Sequence, residues 1–199
     1  MKRRKITSQL KKYSIVLLGL IAIVGCRKVN ASKGDHVDHV VNLTGFTGVN
    51  FGIGGDLNFT ESTSTSIIVN TSDKVYDALD IYIKNSILYI EEKKGYNIKN
   101  SEEIGITITA PNVSSISVSG SGNLDANINN ADAYPNFSLT VSGSGSLTAN
   151  NINAIIQNLT VSGSGSISID DITAESCKNV ISGSGKIDVD QMITTAYEA

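Results

Sequence analysis

The chain contains no tryptophan, two prolines and two cysteines among 199 residues, and aromatic side chains amount to 6%. Two cysteines cannot form the disulfide framework of a small secreted scaffold. The 18% charged content is too low for a long coiled coil, and the 40% hydrophobic content is too high for a disordered chain. Basic charge is scarce once the first twenty-five residues are set aside. Those residues hold six of the sixteen Lys and Arg and no carboxylate, so residues 26–199 carry ten cations against nineteen carboxylates, a balance of −9. An acidic body argues against nucleic acid as a partner, because phosphate binding needs Lys and Arg to release counterions. Long apolar runs are missing too. Ile15 to Val24 is a run of ten, about 15 Å as a helix and roughly half the hydrocarbon core of a bilayer. That excludes a transmembrane helix there.

The start of the chain does carry the pattern of a secretory signal: a basic segment, the short apolar run, then Gly25-Cys26. The ending Ile23-Val24-Gly25-Cys26 resembles the lipobox of bacterial lipoproteins, in which a small residue precedes a cysteine that is diacylated before cleavage on its N-terminal side. Ile23 departs from the Leu most common three positions before the cysteine. An ordinary signal peptide with an incidental cysteine is the alternative. The lipobox reading makes residues 1–25 a signal peptide and Cys26 a lipid attachment site, and several acyl chains on one residue anchor a protein stably. Residues 26–36 then read as the lipidated cysteine and a flexible tether, being polar and short of large apolar side chains. Cys177 is the remaining thiol. Its neighbours Glu175 and Lys178 form no thiolate-stabilising pattern, and it reads as buried and inert.

From residue 37 the chain reads as strands. Apolar residues alternate in 67–70, 78–92 and 104–110, and Pro111 ends the last of these. The polar break Lys84-Asn85-Ser86 predicts a hairpin, with Ile81, Ile83, Ile87 and Tyr89 facing one way. Four copies of Ser-Gly-Ser-Gly follow, at 119–122, 142–145, 162–165 and 182–185, spaced by 23, 20 and 20 residues. Self-similarity at a fixed period is the mark of stacked repeats. Val118, Val141, Val161 and Ile181 precede the four copies, while Leu124, Leu147, Ile167 and Ile187 follow them. Two short strands with corners need about twenty residues per coil, which predicts a β-solenoid rising about 4.8 Å per coil. Gly120, Gly122, Gly143, Gly145, Gly163, Gly165, Gly183 and Gly185 are the expected corner residues, where positive φ or backbone crowding excludes a Cβ. The solenoid domain spans 37–192, with its SGSG repeats in 116–190, N-terminal strands continuing or capping the stack, and 193–199 left as a tail.

The lipobox-like ending at Cys26, the segment GFTGVNFGIGGDLNFT (45–60) and the reiterated SGSG together resemble the auto-transporter adhesin family with a head GIN domain, found in lipoproteins of Bacteroidota-like bacteria. The resemblance covers roughly residues 40–192. It implies an all-β, right-handed β-helix displayed outside the cytoplasm, with adhesion as the family's assigned role.

Residues that could carry chemistry are few. His36 and His39 stand three apart in DHVDHV (35–40), which in extended chain sends the rings to opposite faces, so no metal site is expected there. The Gly-Ser-Gly corners differ from calcium-binding repeats. Two positions after each second glycine stands Leu124, Leu147, Ile167 or Ile187, and calcium requires oxygen. Asn127, Asn150, Asp170 and Asp190 occupy one outward position of successive coils, and with Asp171 and Asp188 they form an acidic patch on the last two. Asn side chains can ladder along such a stack. GIGGD (52–56) lacks the context of a phosphate loop, and the SGSG serines lack that of a nucleophile elbow. No catalytic residue and no cofactor are expected.

The leading reading is therefore a non-enzymatic, lipid-anchored protein of the cell envelope or outer membrane, on its periplasmic or surface face. Its solenoid surface would contact a protein or a carbohydrate. Oligomeric state is open. The alternatives are a β-helix polysaccharide lyase or hydrolase, or a structural or signalling envelope protein. Against the enzyme stand the absence of Arg after residue 27, the lack of Trp, and the single candidate carboxylate pair Asp170 and Asp188.

Overall fold

The computed structural model of the protein describes residues 26–128 and 133–198. Its strands are β1 (Arg27–Asn30), β2 (Val37–Val40), β3 (Gly48–Phe51), β4 (Asp56–Glu61) and β5 (Ser66–Thr71). The one-turn helix α1 (Asp73–Tyr76) comes next, then β6 (Leu79–Lys84), β7 (Ile87–Glu92), β8 (Tyr96–Lys99), β9 (Gly105–Ala110) and β10 (Ser115–Val118). The last are β11 (Asn123–Asn127), β12 (Tyr134–Val141), β13 (Ser146–Gly163), β14 (Ser166–Gly183) and β15 (Lys186–Glu198). The protein is all-β. Thirteen strands make one mixed sheet, eleven of them on a single path, and β1 pairs with β8 separately.

The sheet is strongly curled, and the pairing of β13 shows why. Its first residues, Ser146–Ala149, pair with Asn123–Ala126 of β11, whereas Ala154–Val161 pair with residues of β12. A strand can meet two different strands along one edge only where the sheet bends between them. Pairing is parallel throughout this part, and residues twenty apart face each other: Leu147 with Ile167 and Ile167 with Ile187, Val141 with Val161 and Val161 with Ile181.

That register piles the alternating apolar residues into columns. One runs Ile90, Phe51, Val118, Val141, Val161, Ile181. A second runs Ile106, Leu57, Leu124, Leu147, Ile167, Ile187. Burial is complete from Phe51 to Val161 in the first column, and Ile181 is then 50% exposed. The inner column members are covered by a strand on either side, whereas Ile181 is covered by Val161 alone among the described residues. Close stacking also crowds the corners. At each of the eight SGSG glycines an added Cβ would run into a backbone oxygen of the preceding coil, as Gly163 would into the oxygen of Gly143 at 2.6 Å. Only Gly163 and Gly183 among the eight have positive φ, +125° and +119°, so crowding excludes a side chain at more corners than backbone conformation does.

Antiparallel strands flank the parallel part: β2–β5–β9 on one side and the β6–β7 hairpin on the other. The hairpin turns on Asn85 and Ser86, both at positive φ. A two-residue turn sets Lys84 opposite Ile87, so Ile81 and Ile83 share a face with Ile90 and Leu88. Ile87 and Tyr89 lie on the other face with Tyr82, contrary to the alternation read across the break.

Two segments differ from their sequence reading. Residues 27–30, read as flexible tether, form β1 in register with Tyr96–Lys99, and Ala31 is fully buried. Polar composition hid this because β1 is held by backbone hydrogen bonds, which composition does not report. Residues 193–198, read as tail, continue β15. The signal-peptide reading of residues 1–25 falls outside the described residues.

Candidate functional site

Two places gather polar side chains. The first is a shallow groove of about 310 Å³ along the outside of the coils, lined by Asn58, Thr60, Asp125, Asn127, Asn150 and Asp170 among others. Parallel register brings these residues together: Asn58 faces Asp125 and Thr60 faces Asn127, 67 positions apart. Asn150 ties its floor, accepting the Ile128 N–H at 2.7 Å and donating to Asn127 Oδ1 at 2.8 Å. The groove offers amides, hydroxyls and two carboxylates, its one aromatic residue, Phe59, being buried, a set that can hydrogen-bond a polyhydroxyl or an extended peptide.

Asn127, Asn150 and Asp170 were thus legible from the repeat. Asn58 and Asp125 were not, since a separation of 67 residues leaves no local signal. Of the rest of the acidic patch, Asp190 follows the register to stand opposite Asp170, while the other two carboxylates disperse. Asp188 faces Ser168 and bridges Lys186 at 3.1 Å, while Asp171 faces Gln191. Asp170 and Asp188 therefore do not share a register, and the only carboxylate pair proposed for hydrolysis is not assembled by the strands.

The second place lies at Cys26, which is exposed. Its thiol donates to the Tyr96 carbonyl oxygen at 3.3 Å, and Arg27 stacks over the Tyr96 ring, 5.3 Å from its centroid. A cleft of about 960 Å³ opens beside it between β1, the turn after it and α1. The histidines sit on its flank and diverge. His36 Nε2 is 2.9 Å from the Ala31 oxygen, whereas His39 Nε2 is 3.2 Å from the Thr71 oxygen and its ring stacks on Tyr76. Among the described residues, no three His, Cys, Asp or Glu are placed to hold a metal ion. No helix of the described residues is long and apolar enough to cross a membrane.

Cys177 is fully buried, and burial raises its thiol pKa above the ordinary value, which keeps it protonated and unreactive. It faces Gln157, and Gln157 faces Phe137, all three fully buried. Gln157 Oε1 has no hydrogen-bond partner. An amide between a phenyl ring and a thiol in an otherwise apolar column was not foreseen from the repeat, whose apolar alternation resumes two residues later at Leu159.

The curled all-β sheet with stacked SGSG corners defines the class of the molecule, a repeat-built all-β domain. The family model described as "Putative auto-transporter adhesin, head GIN domain" matches residues 45–196, and the chain belongs to that family. Solved structures that share the fold include these three. A "putative adhesin" from Parabacteroides distasonis is 18% identical with a TM-score of 0.64, over 85% of this chain and 79% of that one. A "putative lipid binding protein" from the same species is 13% identical with a TM-score of 0.57, over 82% and 99%. A "putative cell adhesion protein" from Clostridium sporogenes is 15% identical with a TM-score of 0.52, over 81% and 100%. At these identities the likeness is one of fold. No curated protein matches the chain.

Proposed function

We propose that this protein is a lipid-anchored, non-enzymatic component of the cell envelope. In this reading its right-handed β-solenoid presents an outer face to another surface molecule. The observation that carries it is the placement of Cys26: exposed, one glycine after the apolar run, and fixed to the domain through β1 and Tyr96. A thiol so placed is open to diacylation, while Cys177 is out of reach. The adhesive half of the reading rests on family membership and on the outer rows of short polar side chains. Ser117, Thr140 and Thr160 form one such row, and Asp125, Thr148 and Ser168 another. Such rows repeat donors and acceptors at the strand spacing of about 4.8 Å, which suits a polymeric ligand better than a small substrate.

The anchor is tested by Cys26→Ala. The wild type should take up palmitate label and fractionate with membranes, and the variant should do neither. A variant that stays membrane-bound beside an unlabelled wild type would sink the lipoprotein reading. The display half is tested by protease accessibility on intact cells, together with a glycan array. Binding that disappears on charge-neutral substitution of groove residues supports it.

A further inference from the structure

The cleft beside Cys26 has a chemistry unlike the rest of the molecule. Residues of 27–37 and 72–77 line it together with Tyr96, the segment 93–99 lying behind β1 through the β1–β8 pairing, and Arg27 N–H donates to the Gly95 oxygen at 2.8 Å. These three segments hold seven of the ten cations of residues 26–199 and three carboxylates, Asp35, Asp73 and Asp77. Four of these cations and all three carboxylates line the cleft itself, a balance of +1, in a body whose overall balance is −9.

The cations lining the cleft are Arg27, Lys28, Lys33 and Lys74. Arg27 is engaged by Tyr96, whose hydroxyl oxygen accepts from Nη1 at 3.1 Å. Lys28, Lys33 and Lys74 are exposed and make no ion pair among the described residues. Of the carboxylates, Asp73 lies 3.7 Å from His39 Nε2. A second feature is independent of charge. Ser72 lines the same cleft at 5% exposure, and its hydroxyl has no hydrogen-bond partner. Buried hydroxyls are nearly always satisfied, and this one stands unsatisfied in the inner wall of the cleft, beneath Gly34.

We infer that this cleft is the seat of an anionic phospholipid headgroup, its phosphate held by Lys28, Lys33 and Lys74. The inference rests on the lipid-anchor reading and extends it. With β1 docked rather than loose, acyl chains on Cys26 would enter the bilayer directly beside the cleft, so anchor and headgroup contact would set the domain on the membrane in one orientation. Lipid chains and basic side chains act together in stable membrane attachment, and the basic contribution weakens as salt rises.

The test uses the full protein purified from membranes and reconstituted into phosphatidylcholine vesicles with or without phosphatidylglycerol. Hydrogen exchange at 27–37 and 72–77 should slow several-fold only when phosphatidylglycerol is present. The slowing should vanish at high salt and in the triple variant Lys28→Glu, Lys33→Glu, Lys74→Glu, whose side chains are exposed and whose thermal unfolding should match wild type. Equal exchange in both vesicles, or slowing retained by the triple variant, overturns the seat. Free glycerophosphoglycerol added to phosphatidylcholine vesicles should not reproduce the slowing; if it does, the cleft takes a soluble phosphate and the membrane seat is overturned. Intact mass of the purified chain reports acylation of Cys26 separately. Should it be unacylated, co-sedimentation with the same vesicles decides: pelleting with phosphatidylglycerol that the triple variant loses supports the seat, and pelleting that the variant keeps overturns it.

Discussion

Asn150 donates its side-chain amide to Asn127 Oδ1, one coil back, and with its own Oδ1 accepts the backbone N–H of Ile128. One residue thereby links two coils at the outer corner. Asn150→Ala should lower stability by about 1–2 kcal/mol, the worth of two such bonds. Asn150→Asp keeps the acceptor and loses the donor, setting a carboxylate against the Asn127 oxygen. Its deficit at neutral pH should shrink as acidification restores a proton to donate. Denaturant unfolding at both pH values checks this, and an Asp variant equal to wild type at neutral pH would contradict it.

Crowding and backbone conformation can be separated at the glycines. Gly95 has φ +90° with nothing within 4 Å of an added Cβ, whereas Gly163 has φ +125° and the Gly143 oxygen at 2.6 Å. Gly95→Ala should cost about 1 kcal/mol and Gly163→Ala about 3 kcal/mol. For a chain of this size each kcal/mol lowers the melting temperature by about 2–4 °C. Equal losses at the two positions would mean that coil contact contributes nothing at the corner.

Gln157 offers the opposite sign. Among the described residues its buried Oε1 has no partner and its Nε2 reaches only the Asn158 oxygen at 3.5 Å. Gln157→Leu removes an unsatisfied acceptor from between Phe137 and Cys177 and should stabilise the protein by about 1 kcal/mol. A fall in melting temperature would show that the amide is satisfied in solution.

Tyr134 donates to a carboxylate oxygen of Glu61. Burial, and then the hydrogen bond and charge of Glu61, raise the phenol pKa above its ordinary 10.0. The folded chain holds this proton more tightly than the unfolded one, so the linked stability is fully present below pH 10 and is lost as pH rises beyond it. Tyr134→Phe should lose about 1 kcal/mol at neutral pH and should flatten the alkaline decline. Unfolding curves on either side of pH 10 distinguish the two chains.

What the residues disclosed in advance was whatever repeats. Val118, Val141, Val161 and Ile181 stack as their spacing says, because parallel pairing converts a sequence period directly into a spatial column. Before residue 115 no period exists, and pairings such as Leu57 with Ile106 or Val49 with Leu88 join unlike segments. Those were recognisable as strands but not as partners. The cleft was invisible for the same reason. Arg27 meets Tyr96 across 69 residues, and Ser72 lies under Gly34 with its Cβ 3.2 Å from where a side chain there would begin. The groove was half legible, through the members that belong to the repeat.

The residue-for-residue pairing of β13, β14 and β15 makes length a quantity counted in whole turns. Excising residues 146–165 would join Gly145 to Ser166 and set Leu124 beneath Ile167 and Val141 beneath Ile181, like upon like. Inserting another such block would extend the molecule by about 4.8 Å and add a rung to every column. A gain or loss of an odd number of residues inside a paired strand would turn its apolar side chains outward, whereas the three extra residues of the first, 23-residue interval fall between β11 and β12 and leave the columns in register. Genes for such a chain can change its reach by duplicating or dropping a unit, and smaller changes in length preserve the interior where they fall between strands, as the three extra residues between β11 and β12 do.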